Sequence, residues 1–155
     1  NPAGAHPSGL IGEMYGKSPS NIVPSLALAA NGDIPYFKVL GTSYNTPDGT
    51  GIRDYIHITD LANGHVIAIK KLYSQPNVYT YNLGTGRGYS VLETIKAFEK
   101  ASGKEIPYKI EDARDGDVAE MYACSDKARE ELGWAAKYGI EDICISAWNW
   151  HNKIY

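Results

Sequence analysis

Two arginines stand in polar, turn-forming runs far apart in the chain: Arg53 within Asp48-Gly49-Thr50-Gly51-Ile52-Arg53-Asp54-Tyr55-Ile56-His57, and Arg114 within Arg114-Asp115-Gly116-Asp117. A planar guanidinium pairs bidentately with phosphate, so two of them on separate loops could clamp a pyrophosphate. Taken singly, each has a plainer reading. Arg53 shares its strand parity with Tyr55 and His57 and suits a solvated face, and Arg114 suits an exposed loop. Gly84-Thr85-Gly86-Arg87-Gly88 invites a phosphate-cradling role, because glycines let backbone N–H groups approach an anion at a helix start. Its spacing, GxGxG, matches neither the GxGxxG fingerprint nor GxxxxGK[ST], and a tight strand-to-helix turn fits it better.

Groups that could drive bond chemistry are not arranged to do so. His6, His57, His65 and His151 share no ligand spacing with one another or with a carboxylate, which reads as four structural hydrogen-bonders and no metal site. Ser8, Ser18 and Ser25 lack the GxSxG setting of a nucleophile elbow, and neither cysteine has an adjacent base, so a hydrolase finds no support. Of twelve tyrosines, none stands four residues before a lysine in a Tyr-x-x-x-Lys arrangement. The residues offer binding chemistry without a catalytic engine.

These groups need a scaffold, and 155 residues suffice for one. A domain of this size buries about 70% of the surface its unfolded chain exposes. Apolar residues at 43% and charged residues at 21% place the chain among folding, globular sequences rather than disordered ones. A formal charge of −3 gives no general footprint for a nucleic-acid backbone or an anionic membrane, so any anion must be met by a few local groups. Cys124 and Cys144 lie apart with no CxxC spacing, which argues against a disulfide framework and for a reducing, cytoplasmic setting. No apolar run approaches the roughly 20 residues that span a bilayer, so no membrane partner is expected. The chain opens on Asn1-Pro2 rather than Met, inside dense sequence, which suggests a piece of a longer protein.

The elements alternate. After a Gly/Pro/Ser/Asn-rich stretch from Asn1 to Asn21, the pattern predicts a helix from Ile22 stopped by Asn31-Gly32, with Asn21 as its cap. Strands follow at Tyr36 to Leu40 and, as one run, Ile52 to Ile58. Asp60 to Tyr73 reads as a helix with Leu61, Val66, Ile67, Ile69 and Leu72 at helical spacing. Val78 to Leu83 reads as a strand, Ser90 to Ser102 as a helix closed by Gly103, and Pro107 to Ile110 as a short strand. Met121 to Ala123, a helix over Ser125 to Leu132, and a last helix from about Gly139 to His151 complete a mixed α/β order without repeats or linkers.

Several blocks carry a resemblance. Asn1-Pro2-Ala3-Gly4-Ala5-His6-Pro7-Ser8-Gly9, the run from Asp48 to His57, Asp60-Leu61, Gly64-His65, Tyr81 to Val91, Lys100 to Lys104, Gly116 to Glu120 and Glu131-Leu132-Gly133-Trp134 resemble the UDP-glucose 4-epimerase family of extended short-chain dehydrogenases. The resemblance covers essentially the whole chain. It implies an α/β fold, the C-terminal substrate-binding part of an extended short-chain dehydrogenase with a Rossmann-type fold, in which residues 1–155 form a single UDP-sugar-binding domain. The same resemblance implies an absent N-terminal half that holds NAD and the catalytic groups and through which the full-length enzyme forms a homodimer. This chain would then supply no catalytic residue and be inactive alone. In the complete enzyme NAD takes a hydride from C4 of the sugar, a 4-keto intermediate turns over, and the hydride returns to its other face.

Position by position, Asn1, Asn21 and Ile22 resemble groups that reach the sugar and UDP. Arg53 and Arg114 match two phosphate-binding arginines, and Asp117 an acid that holds the ribose diol. Lys38 and Leu40 fall on the strand whose backbone meets the uracil, with Leu40 where the family usually has an aromatic. Met121 stands at a position whose volume is thought to decide whether an N-acetyl group fits; the implied partners are UDP-glucose and UDP-galactose, with UDP-N-acetyl sugars left open. Other epimerases, decarboxylases or dehydratases of nucleotide sugars, and a non-catalytic nucleotide-sugar-binding module, are the competing readings.

Overall fold

The computed structural model describes residues 1–16 and 19–154; Ser18, one of the serines surveyed above, lies outside them. In chain order the elements are β1 (Pro2–Ala3), α1 (Ile22–Asn31), β2 (Phe37–Leu40), β3 (Ile52–Arg53), β4 (Ile56–His57), α2 (Ile58–Ser74), β5 (Tyr89–Ser90), α3 (Val91–Ser102), β6 (Tyr108–Glu111), β7 (Glu120–Met121), α4 (Asp126–Leu132) and α5 (Ile140–Ile154). The fold is α/β, as expected, with its strands gathered into three small sheets: β1 parallel to β4, β2 parallel to β6, and the order β5-β3-β7. Helices α1, α3 and α5 enclose the main core. There Leu26, Val39, Phe98 and Ile143 are fully buried, and Phe98 meets Trp148 edge-to-face at 6.1 Å.

Local chemistry explains most boundaries. Ser90 accepts from the Glu93 N–H while Glu93 reaches back to the Ser90 N–H, a reciprocal capping box that starts α3, and Gly103 ends it in the left-handed conformation. Seven buried apolar residues drive α1 into the core. Asn21 occupies its cap position but its side chain does not cap; it donates to Glu13 at 3.4 Å instead.

Three expectations change. The run Ile52 to Ile58 is two short strands rather than one. The Asp54 N–H still bonds the Met121 carbonyl, whereas the Ile56 N–H bonds the Asn1 carbonyl, so the chain passes from the β7 sheet to the β1 sheet at this point. Val78 to Leu83 forms no strand among the described residues; Val78 is 91% exposed and finds no ladder partner. In α2 the helical stripe is real but its far end is uncovered, with Val66, Ile69 and Leu72 about half exposed. The buried residues of α2 are Asp60 and Gly64. Gly64 lies so close to Leu83 and the Trp134 ring nitrogen that a Cβ would stand 2.7 and 3.1 Å from them, which fixes the first half of α2, while near its end Lys71 pairs with Glu131 of α4 at 3.7 Å.

Candidate functional site

A cavity of about 1340 Å³ opens between the loop preceding α1, the start of α1, β2 and β3. Asn1, Asn21, Ile22, Lys38, Leu40, Arg53, Arg114 and Asp117 all line it. Met121 does not: it pairs with Arg53 in the β3–β7 register, but its side chain is 55% exposed outside the cavity walls.

Each wall has a local cause. Among the described residues β2 pairs only with β6, and the Phe37 N–H faces that side, on the Pro107 carbonyl at 2.7 Å, so the other edge keeps unpaired backbone groups available at Lys38 and Leu40, which line the cavity. Lys38 is held by Glu111 across the β2–β6 pair at 3.1 Å, and that carboxylate raises its pKa. Asn1 donates through Nδ2 to the Asp54 carbonyl at 3.2 Å. Arg114 and Asp117 sit at the two ends of a tight turn: the Asp117 N–H bonds the Arg114 carbonyl at 3.3 Å, and Gly116 takes the left-handed conformation at φ +81° that the turn requires.

The two arginines meet on one carboxylate. Asp117 accepts through Oδ1 from Arg53 Nη2 at 3.3 Å, and through Oδ2 from Arg114 Nε and Nη2 at 3.0 and 2.8 Å. Arg53 also donates through Nη1 to the Ile52 carbonyl at 2.8 Å, which holds its side chain back along its own strand. Residues 53 and 114 are therefore brought together in the cavity wall, where two guanidinium groups and one carboxylate leave a net positive charge. That arrangement can hold a diphosphate.

The glycine loop takes a different role. The carboxylate of Asp54, 5% exposed, accepts from the Thr85 N–H and hydroxyl through Oδ1, at 3.0 and 2.7 Å, and from the Gly86 and Ala123 N–H groups through Oδ2, at 3.0 and 3.2 Å. The Thr85 and Gly86 N–H groups are thus spent on an internal anion, and those of Gly84 and Arg87 on the Ser125 and Thr85 hydroxyls. Gly84 sits against that anion so closely that a Cβ would stand 2.5 Å from Asp54 Oδ2. Sequence reasoning passed over Asp54, although it shares the parity of the apolar Ile52 and Ile56, and a carboxylate on an inward parity is the signal that was available.

The histidines hold structure. His57 is buried beneath the start of α2, where Nδ1 accepts from the Thr59 N–H and Nε2 lies 3.1 Å from the Ser146 hydroxyl. His151 hydrogen-bonds Tyr15 at 2.7 Å, and Trp150 donates to the Glu13 carbonyl at 2.8 Å. Through these bonds α5 pins the loop that carries Tyr15 and Asn21 into the cavity wall. Tyr15 and Trp150 line the cavity and were not singled out in the sequence, because 136 and 137 residues separate the bonded partners.

Comparison with known proteins gives concordant results. A family model described as GDP-mannose 4,6 dehydratase matches residues 6–146. A UDP-glucose 4-epimerase of Bacillus subtilis (strain 168) is 53% identical over 99% of this chain and 45% of its own length. UDP-glucose 4-epimerase 3 of Oryza sativa subsp. japonica is 54% identical over 99% and 42%. A crystal structure of UDP-glucose 4-epimerase from Bifidobacterium longum in complex with NAD+ and UDP superposes with a TM-score of 0.94 at 52% identity, covering 99% of this chain and 46% of that one. The chain thus spans somewhat less than half the length of the relatives it matches.

Proposed function

The chain belongs to the GDP-mannose 4,6 dehydratase family, and on that premise we propose that its cavity is the UDP-sugar site of a UDP-glucose 4-epimerase. The observation that carries this reading is the convergence of Arg53 and Arg114 at Asp117 in the cavity wall. Its support from outside the chain is the naming of the relatives at 53% and 54% identity.

In this proposal residues 1–155 act as one substrate-binding unit. Arg53 and Arg114 grip the diphosphate, Asp117 accepts from the ribose diol, and the open edge of β2 at Lys38 and Leu40 offers backbone groups to the uracil. Asn1, Asn21 and Ile22 reach the remaining polar edge of UDP and the sugar. Charge-assisted contacts of this kind contribute roughly 1.5–3 kcal/mol each, enough to hold the nucleotide while the sugar turns. Met121, outside the cavity walls, is a weaker candidate for setting sugar size than the sequence resemblance implied. UDP-glucose and UDP-galactose are the proposed substrates, and UDP-N-acetyl sugars stay within the proposal.

NAD would supply the hydride chemistry of such an enzyme. The glycine loop of this chain does not fit a dinucleotide, because Asp54 takes the Thr85 and Gly86 N–H groups and hydroxyls take those of Gly84 and Arg87, and we assign NAD to the part of the protein that the relatives carry beyond the matched span. No proton or hydride step is assigned to a residue of this chain, whose role is binding and orientation. A homodimer of the whole protein and a cytoplasmic setting complete the proposal, the latter in keeping with free thiols at Cys124 and Cys144.

Calorimetric titration of UDP and UDP-galactose into this chain, with Arg53→Ala and Arg114→Ala as controls, tests the reading. Each substitution is expected to weaken binding by about tenfold or more. Affinity left unchanged by both would place the nucleotide elsewhere, and absence of binding would show that residues 1–155 alone do not make the site.

A further inference from the structure

The arginine pair is already engaged. Asp117 presents one carboxylate oxygen to each guanidinium, and both Nε and Nη2 of Arg114, the edge with which a guanidinium grips a phosphate side-on, are spent on Oδ2 at 3.0 and 2.8 Å. The contact is sheltered at one end, with the Arg53 and Asp117 side chains 17% and 23% exposed, and open at the other, where Arg114 is 63% exposed. The Arg114–Asp117 pair is set by its own turn, whereas Arg53 is recruited from 64 residues away. One anion therefore bridges two cations that the fold brings together from separate segments.

We propose that Asp117 determines specificity by acting as a resident anion that screens the arginine pair against small free anions. The inference rests on the reading of the cavity as a nucleoside-diphosphate site. An inorganic phosphate or pyrophosphate arriving at Arg53 and Arg114 meets repulsion from the carboxylate, or must displace it and leave it without partners in a sheltered position. A nucleoside diphosphate does better for two reasons. Its ribose diol donates to the carboxylate, giving Asp117 new partners as the guanidinium groups turn to phosphate. Its nucleoside also gains contacts along the rest of the cavity that a bare anion cannot make. Free pyrophosphate gets neither, so the carboxylate costs it affinity and costs the nucleotide little.

The roles of the three groups separate by experiment. Affinities for inorganic pyrophosphate and for UDP are measured by calorimetry at one ionic strength for the unmodified chain, Asp117→Asn and Asp117→Ser, with circular dichroism confirming the fold. Both variants are expected to bind pyrophosphate about tenfold more tightly, lowering the preference for UDP over pyrophosphate, and adding Arg114→Ala is expected to abolish the gain. Pyrophosphate affinity that stays level or falls in the folded variants overturns the screen. If the unmodified chain binds no UDP while the variants still gain pyrophosphate, residues 1–155 alone do not make the nucleotide site and the screen stands; UDP binding without that gain leaves the nucleotide reading in place and overturns the screen. Should both variants unfold, the arginine Nε–H resonances of the unmodified chain decide. UDP should move the Arg114 signal at concentrations where pyrophosphate leaves it in place, and an equal response to both ligands overturns the proposal.

Discussion

Replacing Asp54 with Asn changes one atom and one charge at the junction of the glycine loop, β3 and the exit of β7. The native carboxylate takes four hydrogen bonds, from the Thr85 N–H and hydroxyl on one oxygen and from the Gly86 and Ala123 N–H groups on the other. The less costly orientation of an Asn turns its amide nitrogen toward Thr85, whose hydroxyl also lies 3.0 Å from the Arg87 carbonyl and can donate there while accepting from the amide. The Thr85 N–H is then left facing another donor. The bonds that survive become neutral ones, worth about 1 kcal/mol each where charge-assisted bonds are worth roughly 1.5–3. One lost bond together with this weakening comes to about 3 kcal/mol, a large share of a typical stability of about 5–15 kcal/mol. Urea unfolding followed by tryptophan fluorescence measures it, and the slope should be unchanged while the midpoint falls. Asp54→Ala, which strands the Thr85, Gly86 and Ala123 N–H groups, should cost more. A loss below about 1 kcal/mol for Asp54→Asn would refute the claim that this carboxylate, rather than glycine flexibility, builds the loop.

Other outcomes follow from buried groups. Burial pulls the pKa of both His57 and His151 below the ordinary 6.5, against the opposing pull of nearby carboxylates. The folded state therefore favours their neutral forms, the unfolded chain takes up protons first, and stability is full above about pH 6.5 and is lost as pH falls toward the folded values. Urea midpoints should drop between about pH 7.5 and pH 5.5; a rise would contradict the assignment. Cys144 is buried and pushed up to about 12 by that burial, with Glu141 adding to it, whereas Cys124 is exposed. A thiol reagent at about pH 8 should label only Cys124 in the folded chain and both in urea, and rapid native labelling of Cys144 would show that α5 opens.

The sequence disclosed what is decided locally. Ser90 and Glu93 three residues apart announce the start of α3, Gly32 and Gly103 the ends of α1 and α3, and Arg114-Asp115-Gly116-Asp117 a turn. Partner changes at a distance were hidden. Nothing within Ile52 to Ile58 says that its ladder passes from Met121 to Asn1, nor that Val78 to Leu83 lacks a neighbouring strand, since both depend on which backbone arrives alongside. The half-exposed end of α2 shows the same limit: spacing identifies a stripe but not what covers it. At the cavity, Arg53 and Arg114 became a pair only through resemblance, and Tyr15 and Trp150 escaped notice because their contacts close loops of more than a hundred residues.

Those closures bear on timing. Trp150 bonds Glu13, His151 bonds Tyr15, and Lys153 bonds the Ser8 carbonyl at 3.0 Å, so the wall raised by the loop preceding α1 is completed by α5. Contacts so distant in sequence form late, after the entropy of closing the intervening chain has been met. A ribosome that has released everything up to α4 has made both arginines and Asp117 but not the clasp beside them. Ligand capture by this cavity would therefore report that synthesis has passed α5.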